Sequence, residues 1–117
     1  MEVQIFGTKK NSETRKAMRF FSERRVKVHF VDFAERAASL GELKRFAQKF
    51  GVAALVDRNS KRFLDLGLQY ARHSDERWLN LLADEPGLLT QPLVRAQHKL
   101  TCGVNEAEWK QWLEGAA

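Results

Sequence analysis

The chain has 117 residues, of which 44% are hydrophobic, 30% charged and 10% aromatic, with two prolines and seven glycines. Those values exclude collagen, low-complexity linkers and intrinsic disorder, and the length fits one compact domain over residues 1–117. The formal charge is +5, and residues 1–30 hold eight of the 20 basic side chains against three of the 15 acidic ones, which leaves twelve of each sign in residues 31–117.

A pI near 9.7 would ordinarily point to nucleic acid. Confined to one short segment, the excess fits a local anion site or an acidic protein partner, and nucleic-acid binding lacks a motif or interleaved exposed aromatics. No run of about 18 apolar residues is present to span a bilayer. The start, MEVQIFGTKK, has no apolar h-region. The single cysteine, Cys102, rules out an internal disulfide and a zinc cage. The expected setting is the cytoplasm.

Val3 to Phe6 reads as a strand, broken by Gly7 and the polar stretch Thr8-Lys9-Lys10-Asn11-Ser12. From Ser12 to about Arg24 the residues Ala17, Met18, Phe20 and Phe21 recur at helical spacing, with Asn11 or Ser12 as the N-cap. Val26, Val28 and Phe30 alternate with Lys27 and His29, and Val31 and Phe33 follow. This is a second strand, so the opening forms a βαβ unit with parallel strands.

Ser39-Leu40-Gly41-Glu42 is a capping box ahead of Leu43, Phe46, Ala47 and Phe50, with Gly51 as the stop. Ala53 to Leu66 is a weaker, mixed segment closing at Gly67. Ser74 to about Ala83 is a helix with Trp78, Leu81 and Leu82 inward, ended by Pro86-Gly87. Pro92-Leu93-Val94 and Leu100-Thr101-Cys102 are short strands joined through Arg95 to Lys99. Asn105-Glu106-Ala107-Glu108 caps a last helix with Trp109, Trp112 and Leu113 on one face. The order predicts an α/β fold, βαβ–ααα–ββα, with a small mixed sheet, helices packed around it and a helical insertion over about 38–86.

Three stretches sharpen this order: Ile5-Phe6-Gly7 with Asn11-Ser12-Glu13-Thr14-Arg15-Lys16-Ala17; Leu55-Val56 with Phe63-Leu64-Asp65-Leu66-Gly67-Leu68; and Leu88-Leu89-Thr90-Gln91-Pro92-Leu93-Val94 with Lys99 to Val104 and Glu108-Trp109. Together they resemble the arsenate reductase (ArsC/Spx) family, whose fold is thioredoxin-like, across nearly the whole chain. The resemblance implies a cysteine nucleophile where this chain has Asn11, in many members a second cysteine at Thr14, and an arginine at Gln91. It also implies a cis bond at Gln91-Pro92.

The family chemistry needs a thiolate at a helix N-terminus. A carboxamide at 11 is no nucleophile, Thr14 cannot resolve a mixed disulfide, and Gln91 lacks a guanidinium's charge and fork. The expectation is a pseudoenzyme, a regulatory module that binds a protein. By the resemblance, one branch of the family contacts an RNA polymerase subunit, and the basic helix with Arg15, Lys16, Arg19, Arg24 and Arg25 is the candidate contact face. The shape of an anion cradle persists, with Lys9, Lys10, Asn11, Ser12, Thr14, Arg15, Gln91 and Pro92 as candidate ligands of a small oxyanion such as phosphate or sulfate. The alternative is arsenate reductase or glutaredoxin-like thiol chemistry through Cys102 or glutathione beside Pro92; otherwise no cofactor is expected. By the resemblance Cys102 lies on the last strand, where a small residue packs as a hydrophobe. His29, His73 and His98 lack metal-ligand spacing, and Trp78, Trp109 and Trp112 read as core.

Overall fold

Ile5 and Phe6 sit on opposite faces of strand β1 (Glu2–Gly7) and both are buried, which suits only a strand covered on two sides. β1 accordingly lies inside the sheet of this computed structural model, which describes residues 1–115. Helix α1 (Ser12–Glu23) follows, then β2 (Lys27–Asp32), parallel to β1 with Phe6 opposite Val31. Strands β3 (Leu93–Ala96) and β4 (Lys99–Cys102) return antiparallel, giving the order β2-β1-β3-β4. Helix α6 (Glu106–Gly115) closes the described chain. The mixed sheet and its helices are the expected thioredoxin-like arrangement.

The described chain packs as two compact units, residues 1–32 with 91–115 and residues 33–90. In the first, Val3, Ile5, Val94 and Ala96 line one sheet face against Ala17, Phe20 and Phe21 of α1 and Trp109 and Trp112 of α6. The rings of Phe20, Phe21 and Trp109 lie 5.1–5.3 Å apart, in tilted or edge contact. Trp109 brings a polar N–H into this core, and Thr101 Oγ1 accepts it at 2.7 Å, so the tryptophan leaves no orphan donor.

The second unit holds α2 (Leu40–Phe50), α3 (Val52–Leu55), α4 (Lys61–Asp65), α5 (Asp75–Asp84) and two 3-10 turns, Leu68–Tyr70 and Pro86–Leu88. The expected cap Ser39 accepts from Glu42 N–H at 3.2 Å. Ser60 and Ser74 cap α4 and α5 in the same way. Trp78 and Leu82 are buried, whereas Leu81 is only half-buried. The mixed segment Ala53–Leu66 resolves into α3, a bridge from Val56 to Leu89, and α4. Arg62 grips Glu85 with two bonds of 2.8 Å. Among the described residues no helix is long and apolar enough to cross a membrane.

Several boundaries differ from the sequence reading: β1 takes in Glu2 and Gly7, and the second strand stops at Asp32, short of Phe33. The link expected over Arg95 to Lys99 shrinks to Gln97 and His98, because Arg95 and Ala96 pair with Leu100 and Lys99. Gln97 turns the chain with φ 58° where Asn-Gly is the usual signal. The second strand begins at Lys27 rather than Val26, and the third at Leu93 rather than Pro92. Val26 N–H bonds Phe21 O and Arg25 N–H bonds Ser22 O, the two bonds of a Schellman end to α1. Arg25 holds the left-handed residue of that end at φ 60°, a place glycine fills without a Cβ clash. Arg25→Gly should therefore stabilise the protein by about 0.5–1 kcal/mol, read as a higher midpoint in chemical denaturation at unchanged slope.

Candidate functional site

Between β1 and α1 the chain reverses over residues 8–11. Asn11 N–H bonds Thr8 O at 3.2 Å, and Asn11 is extended at φ −79°, ψ 123°. Its Oδ1 accepts the N–H of Thr14 at 2.8 Å, so Asn11 rather than Ser12 is the N-cap. Ser12 is exposed at the first helical position. The carboxamide at position 11 thus satisfies a helix-tip amide and carries no ionisable group.

Thr14 is fully buried. Its hydroxyl donates to Gln91 Oε1 at 3.1 Å. The same oxygen accepts the Thr8 N–H at 2.7 Å and the Thr8 hydroxyl at 3.2 Å. Gly7 makes room for this meeting: a Cβ there would fall within 3 Å of both the hydroxyl and the methyl of Thr14, and 3.0 Å from Gln91 Oε1. The Gln91-Pro92 bond is cis, as the resemblance implied, and Pro92 O accepts Gly103 N–H at 2.8 Å.

The cations at this loop are arranged differently from a clamp. Arg15 Nη1 donates to the carbonyls of Lys9 and Lys10, each at 2.9 Å, which ties the loop to the helix. The Lys9 and Lys10 side chains are exposed. Asn11, Thr14, Gln91 and Arg15 are thus brought together as the sequence suggested, but they bond one another and the loop backbone. Thr8 was missed by sequence reasoning. Its contribution is a backbone N–H and a hydroxyl aimed at a residue 83 positions away, and no local pattern carries that information.

Cys102 lies on β4, as expected. It pairs with Leu93, which pairs with Phe6 of β1. These three share the sheet face opposite Val3 and Ile5, the face on which α1 packs. The thiol is therefore two strand spacings from β1, roughly 10 Å, and on the other face from the helix that Asn11 caps. Cys102 is half-buried, and burial pushes its thiol up to about 11. Elsewhere, His29 Nε2 lies 3.4 Å from a Glu2 oxygen and, with Lys27, holds that carboxyl below its usual range. The His73 ring meets Trp78 edge-on at 4.9 Å, and His98 is in the β3–β4 turn. No group of metal-binding side chains occurs among the described residues.

Similarities to known proteins converge on this architecture. Residues 6–112 match the profile described as the ArsC family. Arsenate reductase of Neisseria meningitidis serogroup A is 29% identical over 105 residues, covering 87% of this chain and 90% of that protein. Global transcriptional regulator Spx 2 of Bacillus cereus is 23% identical over 113 residues, covering 95% and 86%. Among solved structures, an ArsC-family-related protein from Bacteroides fragilis superposes with a TM-score of 0.85 at 19% identity, over 95% and 97% of the two chains. Arsenate reductase from Vibrio cholerae gives 0.78 at 25% identity, over 97% of each.

Two measurements follow from the packing and the thiol. Gly7→Ala should cost roughly 1–3 kcal/mol, the range for forcing a methyl into a filled space, measured by urea denaturation. With burial raising its thiol from 9.0 to about 11, Cys102 in the folded protein should alkylate more slowly than a free thiol at pH 7, by up to about 100-fold. The sign is fixed: its rate should rise about tenfold per pH unit until the thiol itself titrates.

Proposed function

This chain belongs to the ArsC family, and we propose that within it the chain is a member without thiol chemistry that works by binding another protein. The observation that carries this reading is the helix tip. The position where the resemblance places a nucleophilic cysteine holds Asn11, whose side chain is committed to the Thr14 amide at 2.8 Å. A thiolate there would be stabilised by the helix dipole and would attack an oxidised substrate; a carboxamide does neither. Thr14 is buried and hydrogen-bonded, so no resolving thiol replaces it. Cys102 is protonated at neutral pH and stands on the opposite sheet face from α1, which argues against a relocated nucleophile. The loop keeps the cations Lys9, Lys10 and Arg15 but has neither a sulfur at 11 nor a guanidinium at 91.

The proposed docking face is the outer side of α1 with Lys16 and Arg19 exposed, continued just past its C-terminal end by exposed Arg24 and Arg25. Arg15 of the expected face turns its guanidinium to the Lys9 and Lys10 carbonyls. Relatives named global transcriptional regulators support a protein partner, and an RNA polymerase subunit is the specific candidate. Exposed cations set association rate and selectivity more than fold stability, so an acidic surface is the complement that such a face recruits.

Arsenate reduction, assayed with and without glutathione, should not exceed a boiled control. Turnover that vanishes in Cys102→Ser would overturn the reading in favour of thiol chemistry. A tagged wild-type chain should capture the polymerase subunit from a defined mixture. The double variant Lys16→Glu with Arg19→Glu should lose that capture while keeping its thermal midpoint. Failure of the wild type to capture any polymerase subunit rejects that partner.

A further inference from the structure

We infer that Gln91 decides what the β1–α1 loop admits: its side-chain oxygen occupies the point on which the loop's donors converge, and so keeps small oxyanions out. The inference deepens the reading above and rests on it only for the identity of the site. Recognition of an oxyanion needs several donors aimed at one point near a helix N-terminus. Three such donors exist here, the Thr8 N–H, the Thr8 hydroxyl and the Thr14 hydroxyl. They meet at a single atom, Gln91 Oε1, at 2.7, 3.2 and 3.1 Å. A carboxamide oxygen has two lone pairs, so three donors saturate it.

Of the helix-tip amides, that of Thr14 is taken by Asn11 Oδ1 at 2.8 Å, again a neutral oxygen. The flanking guanidinium of Arg15 turns to two backbone carbonyls. The donors of Thr8, Thr14 and Arg15 are therefore met without a ligand. A side chain bearing only donors could not do this, because the Thr8 N–H needs an acceptor, even though the two hydroxyls could turn to accept from it. The occupant is also tethered. Gln91 stands two residues before Leu93, which is paired to Phe6 at the end of β1, so a free anion competes with an acceptor held at high effective concentration. Gly7 is the matching adaptation, since a Cβ there would displace both Thr14 and Gln91.

Inorganic phosphate is the probe, titrated at constant ionic strength into nitrogen-15-labelled full-length protein while the Thr8 and Thr14 amides are followed. Wild type should show no saturable shift at either amide at millimolar phosphate, and its Thr8 N–H should exchange slowly. Gln91→Ala should expose the three donors and give saturable shifts at both amides. Adding Thr14→Val should weaken that binding about tenfold, the loss of one donor. Gln91→Glu keeps an acceptor in place and should ignore phosphate like the wild type. Saturable shifts in wild type, or a folded Gln91→Ala protein that ignores phosphate, would overturn the inference. If Gln91→Ala does not fold, the wild-type arm decides: a Thr8 amide exchanging as fast as an open loop overturns it, and a protected one unmoved by phosphate supports it. Arsenate turnover is a separate readout and bears only on the preceding reading.

Discussion

The β1–α1 loop, the start of α1 and the entry to β3 are held together by one oxygen atom, Gln91 Oε1, which accepts from Thr8 twice and from Thr14 once. Thr14 is fully buried, so its hydroxyl needs a partner, and an unmet one would carry the desolvation penalty of a lost hydrogen bond. No water is needed to supply it. The contact links segments far apart in sequence, and it explains why Gly7 bears no side chain: two side chains already occupy the space a Cβ would take.

Electrostatically the arrangement replaces charge by dipoles. The N-terminus of a helix carries a partial positive charge that an anion, a thiolate or a neutral acceptor can offset. Here neutral carboxamides do so, Asn11 on the Thr14 amide and Gln91 on the loop. Arg15 adds its positive charge to the outside while its nitrogen braces the Lys9 and Lys10 carbonyls. On the proposed reading, the cationic surface is left for a macromolecular partner and the interior of the loop is closed. Burial of Cys102 fits the same division, because a protonated thiol on the far sheet face contributes packing rather than reactivity.

Much of the fold was legible because local patterns matched it. The caps Asn11, Ser39 and Asn105 stand where Ser and Asn precede apolar runs, and each accepts the expected amide. The β2 alternation and the tryptophan spacing of α6 were equally plain. The ends that failed lacked a local signal. The Schellman end of α1 uses Arg25 instead of glycine, and the β3–β4 turn uses Gln97 at φ 58°. Both are left-handed positions filled by residues that give no warning of it. The division of Ala53–Leu66 into two short helices followed from the Val56–Leu89 bridge, a pairing across 33 positions that no window of neighbours contains.

The sequence by itself determined the kind of chemistry at stake. With Asn at 11 and Thr at 14, the identities of the available atoms already exclude a thiolate at those two positions of the first helix, since no folding can create an ionisable group from a carboxamide. Only the tertiary structure decided what those atoms do instead. The meeting of Thr8, Thr14 and Gln91, and the separation of Cys102 from Asn11 across the sheet, depend on strand register and on which face a side chain leaves. Those are set by long-range pairing and burial, quantities that belong to the packed chain and not to any stretch of it.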